Sequence, residues 1–197
     1  MIDYSVMNGK VKNKACKRTA LLDAALELFT ERGFSGSTTA LIAKQAGVAT
    51  GTLFVYFKTK DDLIHELFAE VSEAIMNKIQ ENIAPDMPVQ DQFFEVFSQL
   101  LLYFLENPKV FKFAEQYHFS PLADRESDPP RETSPVRPLL LRARDEKIIK
   151  DLPLLVLESV VFGPIVSIAK EHSSQGTPIS GEMIQQVVQA CWDGIKR

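Results

Sequence analysis

Apolar residues recur at intervals of three or four along most of the chain, the spacing that buries one face of an α-helix. Segments that alternate apolar and polar residues between tight turns, which would predict β-hairpins, are missing from the sequence. The pattern therefore predicts an all-α protein with about nine helices. In the first part of the chain it predicts a helix over about residues 14–31, two short helices between residues 38 and 57, and a long helix over about 59–82.

The rest of the chain is predicted to contain five more helices. Two aromatic-rich helices cover Val89–Glu106 and residues 108–119, and Asn107-Pro108 between them supplies a cap followed by a proline in the first helical position. Residues 120–138 hold five prolines and many charges, so they are predicted to form a loop. Helices then resume over about residues 139–149, 152–172 and 180–196.

Charge divides the chain into two unequal parts. Residues 1–60 carry nine Lys and Arg against four Asp and Glu, whereas residues 61–197 carry 13 against 22, so the net charge of −4 hides a basic first third. A basic segment suits approach to a polyanion such as DNA. We therefore predict two domains, a DNA-binding domain with a basic N-terminal arm over residues 1–62 and a helical domain over residues 63–197.

Residues 38–57 have the pattern of two short helices joined by a tight turn. Ile42 and Ala43 face inward from the first helix, and the small alanine allows the second helix to approach. Gly47 stands where the chain must turn sharply, a position that favours positive φ. Val48 anchors the turn, and Leu53 packs the second helix. The spacing predicts a helix-turn-helix, with a plain helical hairpin inside a core as the alternative.

The second short helix opens with the small residues Ala49-Thr50-Gly51-Thr52. Small side chains let the backbone come close to a DNA groove, where hydroxyl and amide N–H groups reach phosphates and base edges. Three lysines flank the unit as predicted phosphate contacts: Lys44, Lys58 and Lys60.

Residues 14–68 resemble the N-terminal domain of TetR-family transcriptional regulators. The resemblance rests on Ala24 through Phe29, Gly33-Phe34, Thr38, Ile42-Ala43, Ala46-Gly47-Val48, Gly51-Thr52-Leu53-Phe54, Tyr56-Phe57, Lys60 and Leu63. It implies a homodimer in which each recognition helix enters a major groove at one half of a palindromic operator, with Thr38 and Tyr56 on phosphates. The predicted DNA-binding residues are Thr38, Thr39, Lys44, Ala49, Thr50, Gly51, Thr52, Phe54, Val55, Tyr56, Lys58 and Lys60.

Two positions depart from the family pattern. Leu41 stands where the family often has a carboxylate, and Phe54 stands where tyrosine is commoner, which removes a hydroxyl from the groove. The recognition helix also lacks Arg, Asn and Gln, the side chains best suited to bidentate base contacts. We therefore expect base discrimination to rest on methyl contacts to thymine and on DNA shape.

The helical domain is rich in aromatic residues, nine of which fall within 27 positions from Phe93 to Phe119. Aromatic side chains dominate protein cores, so core packing is one interpretation. The other is that several line an apolar cavity between helices that binds a hydrophobic or aromatic small molecule, with Gln116 as an additional polar contact. The predicted ligand-binding residues are Phe93, Phe97, Phe104, Phe111, Phe113, Tyr117, His118 and Phe162.

The last two long helices have broad apolar faces. The family resemblance implies that they form a four-helix dimer interface, and the alternative is that they only cover the core. The predicted interface residues are Val160, Val161, Ile165, Ile168, Val187, Val188, Cys191 and Trp192. The resemblance further implies repression that a ligand relieves, with activation as the other mode of the family.

Sequence features that would indicate other classes of function are weaker. Glu115-x-x-His118 and Asp62-x-x-His65 have the spacing of one element of a helical di-iron enzyme, but such a site needs two facing elements and two more carboxylates. We predict no metal, no cofactor and no catalytic residue, and keep a helical metal enzyme as the alternative. Residues 152–169 are apolar but contain Glu158, so they are predicted to be buried rather than membrane-spanning. Two cysteines and no leader pattern favour a cytoplasmic protein.

Overall fold

The computed structural model describes residues 9–84, 86–123 and 136–197, with side chains from residue 16 onward. Within these ranges the chain forms nine α-helices and no strand. The all-α prediction is therefore confirmed. The helices are α1 (Gly9–Gly36), α2 (Thr39–Gln45), α3 (Thr50–Tyr56), α4 (Lys60–Gln80), α5 (Val89–Glu106), α6 (Pro108–His118), α7 (Val136–Asp145), α8 (Leu154–Gln175) and α9 (Gly181–Ile195).

Helices α1, α2 and α3 form a head around one end of α4. Their shared core is made of aliphatic and aromatic residues that are almost fully buried, among them Leu21, Phe29, Ile42 and Leu53. Gly33 interrupts the end of α1 with φ of 72° and ψ of 172°, a conformation that needs glycine. The chain can therefore leave α1 and enter α2 within a few residues.

Helix α4 leads from the head into the rest of the molecule. It starts with a capping box, in which the Thr59 hydroxyl accepts from the Asp62 N–H and the Asp62 carboxylate accepts from the Thr59 N–H, each at 3.0 Å. Its apolar stripe, from Leu63 through Ile79, is buried along the whole helix. The head is thus attached to a helix that is itself part of the larger core.

The remaining helices form a body with α5 near its centre. Helix α5 contacts α4, α6, α7, α8 and α9, and it buries Phe93, Val96, Phe97 and Leu101 among them. Helix α6 contacts α8 on one side and α1 of the head on the other. It therefore bridges the two parts of the molecule.

The last residues are tied to the segment between α7 and α8. Lys150 N–H donates to the Ile195 carbonyl at 2.7 Å, and Arg197 N–H donates to the Ile148 carbonyl at 3.2 Å. The Lys150 ammonium also donates to the Gly194 carbonyl at 2.7 Å. The two bonds from Lys150 satisfy carbonyls at the end of α9 that have no partner inside the helix.

Two predicted boundaries need correction. The predicted loop over residues 120–138 falls mostly outside the described residues, but α7 already begins at Val136. Pro138 therefore lies in the first turn of a helix, where its missing N–H costs no hydrogen bond. At the other end, Ile149 is not helical and instead forms an isolated antiparallel bridge with Lys196. Among the described residues, no helix is both long and apolar enough to cross a bilayer.

Candidate functional site

The turn between α2 and α3 is closed by main-chain hydrogen bonds. Gly47 has a φ of 69°, and its N–H donates to the Lys44 carbonyl at 3.1 Å. Val48 N–H donates to the Ala43 carbonyl at 2.9 Å. The left-handed conformation explains why a glycine stands here, since side chains clash in that region. The predicted tight turn is thus present, and it sets α3 across α2.

Helix α3 presents an apolar face to solvent. Leu53 is fully buried against the head, whereas Phe54 is 49% exposed and Val55 is 73% exposed. Ala49, Thr50 and Gly51 at the start of the helix are also exposed. A Cβ added at Gly51 would meet no atom within 4 Å. The backbone of the first turn is therefore accessible, because its side chains are small and no neighbouring atoms crowd it. A helix that enters a DNA groove needs such a surface.

The structure sorts the predicted DNA-binding residues into two groups. Eight are exposed and four are half-buried. The exposed group is Thr38, Lys44, Ala49, Thr50, Gly51, Phe54, Val55 and Lys58, and the half-buried group is Thr39, Thr52, Tyr56 and Lys60.

Two of these residues also have structural tasks. The Thr38 hydroxyl caps α2 by accepting from the Leu41 N–H at 3.2 Å. The Lys60 ammonium donates to the Phe34 carbonyl at 2.8 Å and so ties the start of α4 to the end of α1. An ammonium has three donors, so Lys60 retains the means to contact a phosphate as well. Its first observed role is to hold the head together.

Arg18 is a positioning residue that the sequence analysis missed. Its guanidinium pairs with Glu66 at 2.6 Å and also with Glu70, both on α4, and it lies 5.8 Å from the ring centre of Phe57. Although partial burial opposes the charge, hydrogen bonds and attraction from the two carboxylates raise the pKa of Arg18. The spacing of Glu66 and Glu70, one helical turn apart, was the signal that could have indicated it.

The junction between head and body is built by α6. The Lys109 ammonium lies 2.5 Å from Glu27 Oε1 on α1. One turn later, Phe113 is fully buried and packs its ring against Phe29 at 6.2 Å and against Phe34 at 6.0 Å between ring centres. Any movement of α6 must therefore disturb the end of α1.

The same helix contacts α4 through Tyr117. Its hydroxyl lies 2.8 Å from His65 Nδ1, and its ring stacks on Phe68 with centres 3.8 Å apart. The Tyr117 hydroxyl also donates to the Leu122 carbonyl at 3.3 Å. Helix α6 thus contacts both α1, which belongs to the head, and α4, which leads from the head into the body.

Most of the predicted ligand-binding residues lie in the packed core. Phe93, Phe97, Phe111, Phe113 and Tyr117 are each no more than 3% exposed, and their rings contact other aromatic rings. Core packing, the alternative interpretation, describes these five in this conformation. Their role as ligand contacts stays a prediction that requires the core to open. Of the other three, Phe104 and Phe162 are half-buried and His118 is exposed.

The predicted dimer residues divide in a similar way. Val161, Ile165, Val188, Cys191 and Trp192 are buried within a single chain, so they have little surface to offer a partner. Val160, Ile168 and Val187 are half-buried. We define the outer face as a set of apolar or small residues of α8 and α9 that are exposed or half-buried, and it includes two of these three. It contains Val156, Val160, Gly163, Pro164, Ser167, Met183, Val187, Ala190 and Gly194.

Three of the four residues considered for a metal site are engaged in other contacts. The Glu115 carboxylate accepts from Lys170 at 2.8 Å, Asp62 caps α4, and His65 contacts Tyr117. Across the described parts of the chain, no three His, Cys, Asp or Glu residues are grouped so that they could hold a metal ion.

The short turn, the inward Ile42 and the exposed face of α3 together define a helix-turn-helix DNA-binding protein.

Comparison with known families agrees with this class. Residues 21–67 match the model of bacterial regulatory proteins of the TetR family, and residues 88–196 match the model of the tetracyclin repressor-like C-terminal domain. The second match alone spans more than half of the chain. The chain belongs to the TetR family and is a DNA-binding transcriptional regulator rather than an enzyme.

Individual relatives show how far the similarity extends. The fatty acid metabolism regulator protein of Bacillus subtilis is 36% identical over 89 residues, which are 45% of this chain and 46% of that protein. The chain spans about half the length of the curated relatives it matches. A TetR family transcription regulator from Marinobacter aquaeolei has the same fold over 94% of this chain and 99% of its own, with a TM-score of 0.86 and 23% identity. A TetR family protein from Vibrio parahaemolyticus covers 92% of this chain and 99% of its own, with a TM-score of 0.73 and 26% identity.

Proposed function

We propose that this chain is a homodimeric repressor that binds a palindromic operator and leaves it when an apolar small molecule binds the body. The observation that carries the proposal is the exposed face of α3, which has small residues in its first turn and two apolar side chains on its surface. Because its partner is DNA, we place the protein in the cytoplasm.

The exposed face of α3 suits a particular way of reading DNA. Thr50 and Gly51 leave the first turn free to approach the backbone of a groove. Phe54 and Val55 can contact the methyl group of thymine, which marks A·T pairs in the major groove. Lys44, at the end of α2, and Lys58, after the end of α3, are exposed and supply phosphate contacts. We therefore expect a consensus with conserved thymines and few guanines.

The outer face of α8 and α9 is the proposed dimer interface. It is made of apolar and small residues, and the two helices approach closely there, since a Cβ at Gly194 would lie 3.0 Å from Val160 Cγ1. Pro164 and Ala190 are exposed in the single chain, and Met183 is 37% exposed. An interface with few charged residues in its centre is what a stable dimer requires.

Ligand response is proposed to pass through α6. This helix is bonded to α1 by Lys109 and Phe113 and to α4 by Tyr117. A ligand that favours another position of α6 or α4 would change the spacing of the two heads in a dimer, and so its affinity for the operator.

The first test is selection of duplexes from a random pool by the purified protein, followed by mapping of the recovered site beside its own coding region. The proposal expects an inverted repeat rich in thymine, and affinity that weakens steeply as salt rises. A guanine-rich consensus with sharp single-base penalties would contradict the proposed mode of reading. Activation rather than repression of a reporter that carries the site would contradict the repressor role.

The dimer is tested separately by sedimentation of Ala190→Arg. A charge on the outer face is expected to convert dimers to monomers and to weaken operator binding. Gln90→Arg, an exposed position outside the outer face, is the matched control and is expected to remain dimeric. Dimers in Ala190→Arg at micromolar concentration would contradict the assignment of this face.

A further inference from the structure

A cleft of about 380 Å³ lies between the end of α4, the start of α5 and helix α7. It is lined by Gln80, Ile83, Gln92, Val96 and Leu139. None of the aromatic residues predicted to bind a ligand takes part. Its volume lies in the range of small-molecule sites and equals the space of roughly a dozen water molecules at ~30 Å³ each.

The lining combines apolar walls with two amides. Ile83 is half-buried and can contact an aliphatic chain, while Val96 and Leu139 are buried and form the floor of the cleft. Gln92 is only 8% exposed, and its Nε2 donates to the Met87 carbonyl at 2.9 Å, which fixes the orientation of the amide. An amide has two N–H donors and a carbonyl acceptor, so that bond uses one of its donors. Gln80, across the cleft, is exposed and adds a second amide.

Among the residues that the structure describes, none that lines the cleft is charged. A buried carboxylate or ammonium without a counter-charge is strongly disfavoured, whereas a neutral polar group can be satisfied by amides. The cleft therefore favours a ligand with a neutral head group that both donates and accepts hydrogen bonds.

A larger groove of about 730 Å³ between α5 and α9 is less suitable. It includes the carboxylates of Asp91, Glu95 and Asp193. Two of these already have partners, because Glu95 accepts from Asn82 at 2.9 Å and Asp193 pairs with Lys196 at 2.6 Å. The groove is also more open to solvent than the cleft, so a ligand there would keep more of its surface in water.

We propose that the cleft binds a neutral aliphatic amphiphile of about eight to twelve non-hydrogen atoms. Its amide or hydroxyl head bonds to Gln80 and Gln92, and its chain lies on Ile83, Val96 and Leu139. This inference rests on the proposed function and gives its ligand a chemical class and a place.

The place of the cleft also offers a route to the head. Gln80 is the last residue of α4 and Lys60 is the first, and a helix of 21 residues extends over ~30 Å. A ligand that shifts the far end of α4 therefore acts on the helix whose near end is bonded to α1 through Lys60 and Arg18.

The experiment measures binding of three probes of equal chain length to the full-length protein by calorimetry: octanamide, octanoate and octylamine. Octanamide is expected to bind with saturation, and the two charged probes at least about tenfold more weakly, a difference of ~1.4 kcal/mol. Octanoate or octylamine that binds as tightly as octanamide would overturn the neutral-head inference.

Two variants test the location. Ile83→Trp fills the cleft from a half-buried position and is expected to weaken octanamide about tenfold or more. Gln80→Glu, at an exposed position, is expected to weaken octanamide and to strengthen octylamine, so the preference inverts even if Ile83→Trp fails to fold. Gln90→Glu is the matched control outside the cleft and is expected to leave all three affinities unchanged.

Affinity for a selected duplex is measured in the same samples. Octanamide affinity that is equal in the parent, Ile83→Trp and Gln80→Glu would overturn the cleft as the site. Cleft-dependent binding with unchanged DNA affinity would support the site and contradict the ligand-responsive part of the proposed function. Cleft-dependent binding that weakens DNA affinity would support both.

Discussion

The head and the body of this regulator use apolar side chains in opposite ways. In the head, Phe54 and Val55 are left on the surface of α3 although a small core lies beneath them. In the body, five of the nine aromatic residues between Phe93 and Phe119 are buried, among them Phe113, and three more are half-buried. An exposed apolar residue on a short helix is therefore a better indicator of function here than a cluster of aromatic residues, because aromatic residues are common in protein cores whatever the function.

Helix α6 connects the head and the body. It packs against α8 in the body, and it contacts the head through an ion pair, an aromatic cluster and the Tyr117 hydroxyl. Substitutions at this junction test the comparison of head and body most directly, and substitutions at exposed residues of α3 refine it.

The largest expected effect is that of Phe113→Ala at the junction. Its ring is fully buried between Phe29 and Phe34, so removal leaves a cavity and is expected to lower the free energy of unfolding by ~3–5 kcal/mol. Denaturant unfolding followed by circular dichroism measures this. Phe54→Ala is the control from the head and is expected to leave that free energy nearly unchanged while it weakens DNA binding.

Gly47→Val is expected to be next in size. The backbone at this position has a φ of 69°, which is strained for a β-branched residue whatever the space, and no atom lies within 4 Å of an added Cβ. We expect a loss of ~1–3 kcal/mol in unfolding free energy together with loss of operator binding. Thermal melting and fluorescence anisotropy with labelled duplex provide the two values. A valine that is tolerated in both assays would show that the turn is not held as described.

Gly51→Ala should separate stability from function. Gly51 is helical, and an added Cβ meets nothing in the free protein, so the helix is expected to gain up to ~1 kcal/mol. The same methyl group is expected to weaken DNA binding, because it stands where α3 approaches the groove. Tighter DNA binding by the alanine variant would argue that this turn does not face the duplex.

The smallest effect concerns the two thiols, one in each region. Cys16 of the head is exposed, whereas burial raises the pKa of the Cys191 thiol to about 11. Only the thiolate reacts, and at pH 8 about one Cys191 in a thousand is ionised. Titration of the native protein with a disulfide reagent is therefore expected to show one fast thiol and a second only after unfolding. Two fast thiols would contradict the burial of α9.

The sequence predicted the head well because its requirements are local. The turn needs Gly47, the long helix needs a cap such as Thr59, and the inward positions of α2 need residues as small and apolar as Ile42 and Ala43. Each requirement acts within a few residues, so spacing alone was sufficient to recognise the unit.

The body was harder because its surfaces depend on how helices pack. On α8 the strongest apolar positions, such as Val161 and Ile165, face the core, while the outer face is marked by the weakly apolar Gly163, Pro164 and Ser167. A count of apolar residues therefore selects the side of the helix that faces the core, and not the outer face that we propose for the dimer. The cleft could not be predicted either, because it brings together residues of three helices and of the segment after α4 that are separated by up to 59 positions.

The central claim is that the exposed face of α3 reads duplex DNA, and the most direct test compares Val55→Asp with the parent. Val55 is 73% exposed, so the substitution is expected to leave the melting temperature unchanged while it places a carboxylate against the DNA. Phe119→Asp, at a body position that is 78% exposed, is the control. Anisotropy at fixed salt is predicted to show that the parent and the control prefer the selected duplex over random duplex by ~10³-fold or more, and that Val55→Asp loses most of this preference. Equal preference in Val55→Asp and the parent would contradict the account.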